Sequence, residues 1–238
     1  MIKAVLLDID DTLLDFNACS RWSAEHAAAA CGVELPPETM TVFRQVTDSL
    51  WHQVEQGRMT QQEVRQRRWV MIFRELGIAA DGLAFEHEFL RWLHDSCIPV
   101  EGAGEMLASL AQFVPLYAAS NGPLEQQTTR LARAGFLPYF NDLFVSEVIG
   151  YTKPDPRFFS ACLERLDLRP DEVILLGDSL TADIRGAMTA GLLSCWFNPE
   201  RNAEKNHPDY TISRLAEFVP LLKKLTAATE SPDAPAGF

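Results

Sequence analysis

Residues 3–15, KAVLLDIDDTLLD, limit what this chain can become more than any other stretch. Ala4-Val5-Leu6-Leu7 is apolar, does not alternate and is too short for a helix, which describes a strand buried on both faces inside a parallel sheet. Asp8 and Asp10 follow at once. Two residues apart in an extended or newly turning backbone, both carboxylates can point to one side just past the carboxyl end of the strand. Open α/β sheets hold their sites there. Acids so close repel each other, and one takes up a proton near neutral pH unless a cation or donors lie between them. The pair therefore asks for a metal, although turn chemistry or a plain divalent-ion site would also account for it alone.

Beyond residue 15 the apolar spacing becomes helical and stays so to about residue 95. Segments 18–31, 37–55, 61–76 and 83–94 carry apolar residues three and four apart, separated by breaks at 32–37, 56–57 and 77–82. Four helices with no strand between them describe a separate small bundle. From Ile98 strands and helices alternate: helix 103–113, strand 114–119, helix 124–134, strand 143–145, helix 156–166, strand 173–176, helix 181–190, strand 193–197 and helix 213–225. The expected class is α/β, a doubly wound parallel sheet formed by residues 1–15 and 96–228, with an inserted helical domain at 16–95. The chain end at 226–238 is rich in Thr, Ala, Ser and Pro, and residues 229–238 are expected to be a disordered tail.

The bulk numbers exclude several partners. A formal charge of -12 argues against nucleic acid and anionic membrane surfaces, which are bound by clustered Lys and Arg. The five cysteines are scattered and never in Cys-x-x-Cys spacing, so neither a disulfide framework nor a zinc knuckle is indicated. No apolar run approaches the length of a membrane span, and the first strand starts too soon for a signal peptide. The expectation is a cytoplasmic protein, monomer or homodimer, with reduced thiols.

Each later strand end repeats the logic of the first. Ser120-Asn121-Gly122 follows the second strand, Lys153-Pro154 lies shortly after the third, and Gly177-Asp178 follows the fourth, with Asp183 five residues on. Singly, these are a cap and turn, a solvated lysine and a carboxylate favoured by a helix dipole. Right-handed crossovers, however, bring the strand ends to one rim of the sheet, where hydroxyl, cation and carboxylates converge. Asp8-Ile9-Asp10-Asp11-Thr12, Ser120-Asn121, Lys153-Pro154 and the Gly-Asp-x4-Asp of residues 177–183 resemble, in order, the four motifs of the haloacid dehalogenase (HAD) superfamily. The resemblance implies a HAD-like Rossmannoid core with the helical insertion as its cap.

It also implies roles. Asp8 is the nucleophile that accepts a phosphoryl group; Asp10 protonates the leaving oxygen and then activates water. Asp8, the Asp10 carbonyl and Asp178 hold Mg²⁺, with Asp183 in support. Thr12, Ser120, Asn121 and Lys153 bind the substrate, and Lys153 also holds Asp8. Charge arithmetic agrees: each unit charge on a phosphate about 4 Å from Asp8 is repelled by roughly 4 kcal/mol at an effective dielectric near 20. Hard oxygen donors completed by phosphate suit magnesium better than zinc.

Within the superfamily, an acid at Asp10 disfavours a 2-haloacid dehalogenase, because a departing halide needs no proton. The absence of lysine from residues 16–95 disfavours Schiff-base chemistry. A non-catalytic protein of the same fold is disfavoured because no catalytic position is lost. Leu50-Trp51 with Glu55-Gln56-Gly57, Ser194-Cys195-Trp196 with Asn198, and residues 209–215 (DYTISRL) resemble bacterial house-cleaning pyrimidine 5′-nucleotidases. The substrate so implied is a small phosphate ester, a nucleoside monophosphate; the alternative is a sugar or sialic acid phosphate. Arg65, Arg67 and Arg68 beside Trp69 read as a solvated helix face, and the five histidines show no metal spacing.

Overall fold

The computed structural model describes residues 1–203 and 207–227. The expected tail at 229–238 lies outside them. The described residues divide into two compact units: residues 1–14, 99–124, 135–203 and 207–227 form one, residues 15–98 and 125–134 the other.

The first unit is built on six parallel strands: β1 (Ala4–Leu7), β2 (Leu116–Ser120), β3 (Asp142–Val145), β4 (Val173–Gly177), β5 (Leu193–Phe197) and β6 (Tyr210–Ile212). Their order is β3-β2-β1-β4-β5-β6, so the opening strand lies inside the sheet between β2 and β4. Val5, Leu6 and Leu7 are fully buried, each worth about 1.5–3 kcal/mol of apolar transfer. Register then does the positioning. Leu7 is level with Ala118 of β2 and Leu176 of β4, so Asp8, Ala119 and Gly177 arrive together at one rim. β6 was not anticipated: three residues are too few for a periodic signal, and it is held by Ser194, whose N–H and hydroxyl both donate to Asp209 Oδ2 at 2.8 Å.

The second unit holds the long helices α1 (Phe16–Cys31), α2 (Thr39–Glu55), α3 (Gln61–Leu76) and α4 (Gly82–Asp95). Their starts are chemically marked. Asp15 accepts the N–H of Ala18 at 2.8 Å, Thr60 and Glu63 form a capping box, and Asp81 accepts the N–H groups of Leu83 and Ala84. Two further helices, α5 (Ala103–Leu110) and α6 (Leu124–Arg133), follow. The helical unit is larger than the expected 16–95, because Ser96–Ile98 and most of α6 group with it. The reason is ionic and polar: Arg130, fully buried, donates to the Ser96 carbonyl at 3.0 Å, and Arg133 pairs with Asp95 at 2.7 Å.

Arg68 also departs from expectation. Instead of facing solvent it is buried, forms a two-pronged pair with Glu86 (Nε–Oε2 3.1 Å, Nη2–Oε1 2.5 Å) and lies over the rings of Phe43 and Phe89. Burial raises the Glu86 carboxyl above its ordinary value, and Arg68 opposes that. The fork geometry of guanidinium and carboxylate makes such burial tolerable. The chain continues with the short α7 (Ser146–Ile149), then α8 (Pro156–Leu166), α9 (Gly186–Thr189) and α10 (Phe218–Ala227). No helix among the described residues is long and apolar enough to cross a membrane.

Breaking the buried pair from one side should cost far more than replacing both members. Glu86→Gln is expected to lower the unfolding free energy by about 3–5 kcal/mol, and Arg68→Met combined with Glu86→Leu by less than about 2 kcal/mol. Urea unfolding followed by tryptophan fluorescence checks both.

Candidate active site

Asp8 continues the β1 ladder, its N–H donating to Leu176 O at 2.9 Å. The chain then turns sharply: the N–H groups of Leu13 and Leu14 both reach Ile9 O at 2.9 Å, and Asp11 takes a left-handed φ of 59°. Aspartate tolerates that conformation better than most side chains. Asp8 is thereby buried, whereas Asp10 is only half-buried.

Lys153 is the centre of the arrangement. Only 2% exposed, it extends its ammonium to Asp8 Oδ1 at 2.7 Å, Ala119 O at 2.6 Å and Asp183 Oδ1 at 2.6 Å. Three donors meet three acceptors. Burial by itself would lower the lysine pKa; the charges of Asp183 and Asp8 outweigh it and hold the ammonium above its ordinary range. The strand-end loop after β2 places this lysine. The Asn121 side chain pairs with the Lys153 backbone in both directions, accepting its N–H at 2.8 Å and donating to its carbonyl at 2.9 Å. The Ser146 hydroxyl donates to Asn121 O at 3.2 Å, and Ser120 Oγ, itself buried, accepts the Gly122 N–H at 3.0 Å.

After β4 the backbone does not enter the ordinary helix expected at 181–190. Leu180–Arg185 forms a wider π-helical turn, with the Asp183 and Ile184 N–H groups both directed at Ser179 O at 3.1 Å. π-helical turns recur at functional positions, and here the turn folds Asp183 back over Gly177. A Cβ at Gly177 would stand 2.4 Å from Asp183 Cγ, so only glycine fits. Asp183 Oδ2 accepts the Ser179 N–H at 3.1 Å. Thr12, expected at the substrate, is wholly buried and gives its hydroxyl to Asp178 Oδ1 at 3.3 Å instead. On the other side the Trp196 indole N–H donates to Asp178 O at 2.8 Å.

Carboxylate oxygens of Asp8, Asp178 and Asp183 lie within 4.8 Å of one another. Every pair of negative charges at that distance repels by roughly 3 kcal/mol at an effective dielectric near 20. One lysine cannot offset three such acids. Burial pushes the Asp8 carboxyl up to about 7, with the charges of Asp183 and Asp10 adding to the shift and Lys153 opposing it. Asp178 is raised too, by burial first and then by Asp8, Asp183 and Asp11. The donor set is all oxygen and the charge deficit is about that of one divalent cation, so the residues fit Mg²⁺. The Asp10 carboxylate does not belong to this group of three, consistent with a contribution through its backbone carbonyl.

The sequence identified Asp8, Ser120, Asn121, Lys153, Asp178 and Asp183 as neighbours, and the register and turns bring all six to one rim. It did not single out Gly177 as a contact surface, the Ala119 carbonyl as a lysine acceptor or Ser146, and it marked Trp196 only as part of a nucleotidase-like segment, not as a donor to Asp178. Gly177 heads the fourth motif, and its position before Asp178 was the available signal.

A pH dependence follows. Acids whose pKa is higher in the folded than in the unfolded chain bind extra protons when folded, so stability falls as pH rises from their unfolded value toward the folded one. The metal-free protein should lose unfolding free energy between about pH 4 and pH 7 from Asp8, and the raised carboxyl of Asp178 adds to the loss in the same direction. Saturating Mg²⁺ should flatten that slope, because the bound cation keeps the acids ionised. Urea titrations across this range, in chelator and in Mg²⁺, read the two slopes.

Comparison with known proteins agrees with this geometry. The family model for haloacid dehalogenase-like hydrolases matches residues 2–191. The HAD-hydrolase YfnB of Bacillus subtilis is 34% identical over 92% of this chain and 95% of its own. A crystal structure of YfnB bound to magnesium superposes with a TM-score of 0.87 at 33% identity, covering 93% of this chain and 98% of that one. The pyrimidine 5′-nucleotidase PynA of Streptococcus pneumoniae is 31% identical over 93% of this chain and 95% of its own. The corresponding figures for the pyrimidine 5′-nucleotidase YjjG of Escherichia coli are 27%, 92% and 97%. With the strand order, the converging carboxylates and a family match over most of its length, the chain belongs to the haloacid dehalogenase-like hydrolases.

Proposed function

We propose that the protein is a Mg²⁺-dependent phosphatase that acts through an aspartyl-phosphate on Asp8 and takes pyrimidine nucleoside 5′-monophosphates as substrates. The observation that carries the chemistry is the Lys153 ammonium, held between Asp8 and Asp183 beside a third carboxylate. A lysine so placed orients the Asp8 carboxylate and meets the negative charge of an arriving phosphoryl group.

An oxygen of Asp8 attacks phosphorus, the bond from phosphorus to the ester oxygen breaks, and Asp10 delivers its proton to the departing alkoxide. Asp10, now a carboxylate, takes a proton from water as the water oxygen attacks phosphorus; Asp8 is released and inorganic phosphate leaves. Dividing the transfer in two lets one carboxyl serve as acid and then as base. When bound, Mg²⁺, held by Asp8, Asp178 and the Asp10 carbonyl, supplies neutralisation of phosphoryl charge. Asp183 orients Lys153, and Asn121 fixes the backbone from which Lys153 projects. Ser120 and the backbone N–H of Asn121 bind phosphoryl oxygens.

The helical unit is assigned as the cap. The substrate reading rests on two relatives that are pyrimidine 5′-nucleotidases by name and span nearly the whole chain, together with the Trp196, Asn198 and 209–215 features. A sugar or sialic acid phosphate is the second reading, because another relative spanning most of the chain is a glyceraldehyde 3-phosphate phosphatase by name and one fold hosts many substrates. Asp10 stands against dehalogenation, and the complete site stands against a non-catalytic role.

A substrate panel tests both levels. UMP, dUMP and TMP should be hydrolysed with kcat/KM at least about tenfold above sugar and sialic acid phosphates, and Asp8→Asn should lower phosphate release by about 10³-fold or more. Equal rates on sugar phosphates would overturn the nucleotide assignment alone. Full activity of Asp8→Asn would overturn the mechanism.

A further inference from the structure

The Ser194-Cys195-Trp196 segment takes no part in the chemistry above, yet one of its side chains reaches a candidate metal ligand. Trp196 stands on β5 level with Gly177 of β4, is 4% exposed, and donates its indole N–H to the backbone carbonyl of Asp178 at 2.8 Å. That carbonyl belongs to the same peptide unit as the N–H of Ser179. In a planar trans peptide the two groups point in opposite directions. The Ser179 N–H donates to Asp183 Oδ2 at 3.1 Å, and Asp183 Oδ1 receives Lys153 at 2.6 Å. A single peptide plane is therefore held at both ends, by the indole on one side and by a carboxylate of the acidic group on the other.

We infer that Trp196 is a positioning residue for the cation: by fixing the Asp178–Ser179 peptide, its indole N–H sets the Asp178 and Asp183 carboxylates in the arrangement that binds Mg²⁺. The inference rests on the metal-dependent reading of the site. Without the indole donor, the Asp178 carbonyl loses its partner from β5, and the peptide gains freedom to rotate. Rotation about the line joining the Cα atoms of Asp178 and Ser179 changes the ψ of Asp178 and takes the Ser179 N–H off Asp183, so Asp183 loses a donor while the backbone that carries the Asp178 side chain is no longer held. Thr12 still holds Asp178 Oδ1, so the site is loosened and not abolished. Trp196 itself is anchored: β5 is tied at Ser194 to Asp209, and Asn198 donates its N–H to Ile212 O at 2.8 Å. The 209–215 segment thus buttresses the strand that carries the indole.

A purely space-filling role would tolerate another aromatic ring; a positioning role would not. Trp196→Phe keeps an aromatic ring and removes the donor. In the full chain stripped of metal, calorimetric titration should show Mg²⁺ bound about tenfold more weakly than by wild type. The control Trp92→Phe, a matched loss in the helical unit, should leave Mg²⁺ affinity unchanged. At saturating Mg²⁺ the kcat of Trp196→Phe should recover to within about threefold of wild type. Should that variant not fold, the wild type still decides. Its Trp196 indole N–H signal, assigned in nitrogen-15 spectra by replacing the other four tryptophans singly, should shift with Mg²⁺ in step with binding. Unchanged Mg²⁺ affinity in folded Trp196→Phe, or an indole signal indifferent to Mg²⁺, would overturn this inference and leave the phosphatase reading intact. Failure of the wild type to bind Mg²⁺ would overturn both.

Discussion

One buried ammonium supports the whole arrangement. Lys153 brings a single positive charge among Asp8, Asp183 and the Ala119 carbonyl, with each contact shorter than 2.8 Å. Removing an ion pair from water costs several kcal/mol per ion, so such a cluster persists only where geometry and extra hydrogen bonds compensate. Here they come from the sheet. β1 lies between β2 and β4 in a register that puts Asp8, Ala119 and Gly177 on one level, and Gly177 has no side chain to keep Asp183 away. The charge left over after Lys153 is what a divalent cation would offset, and the raised pKa values of Asp8 and Asp178 express the same imbalance in the metal-free protein.

The site residues fall into two layers. Asp8, Asp10, Ser120 and Lys153 face the reaction as proposed. Behind them Asn121 grips the Lys153 backbone, Thr12 steadies Asp178, and Trp196 holds the peptide that follows Asp178. Each supporting contact crosses from one strand end to another, which converts the stiffness of a parallel sheet into fixed carboxylate positions. Such outer contacts bear on metal affinity nearly as strongly as the ligands do.

Much of the first layer could be read from the sequence, because each member follows an apolar run and the order of the runs fixes a common rim. The second layer could not. Where Thr12 points depends on the tight turn at Asp11, and the reach of the Trp196 indole depends on the register of β5 against β4, neither of which has a local sequence signal. Asp183 lies with Asp8 and Asp178, although the regular helix expected around it is a π-helical turn. In the helical unit, Arg68 looked like a surface residue because its partner Glu86 lies eighteen positions away on another helix. α6 was grouped with the sheet by chain order, but the buried Arg130 draws it to the helices. These departures share a cause: long side chains choose partners across elements, and periodicity reports only faces.

In the proposed mechanism the Asp8 carboxylate carries the phosphoryl group transiently as an acyl phosphate. Borohydride added during turnover reduces an acyl phosphate, and peptide mass mapping then locates the reduced residue. Conversion at position 8 to homoserine, dependent on both substrate and Mg²⁺, is the expected result. Steady phosphate release with Asp8 unmodified and another carboxylate reduced, or with no carboxylate reduced, would rule out Asp8 as the nucleophile.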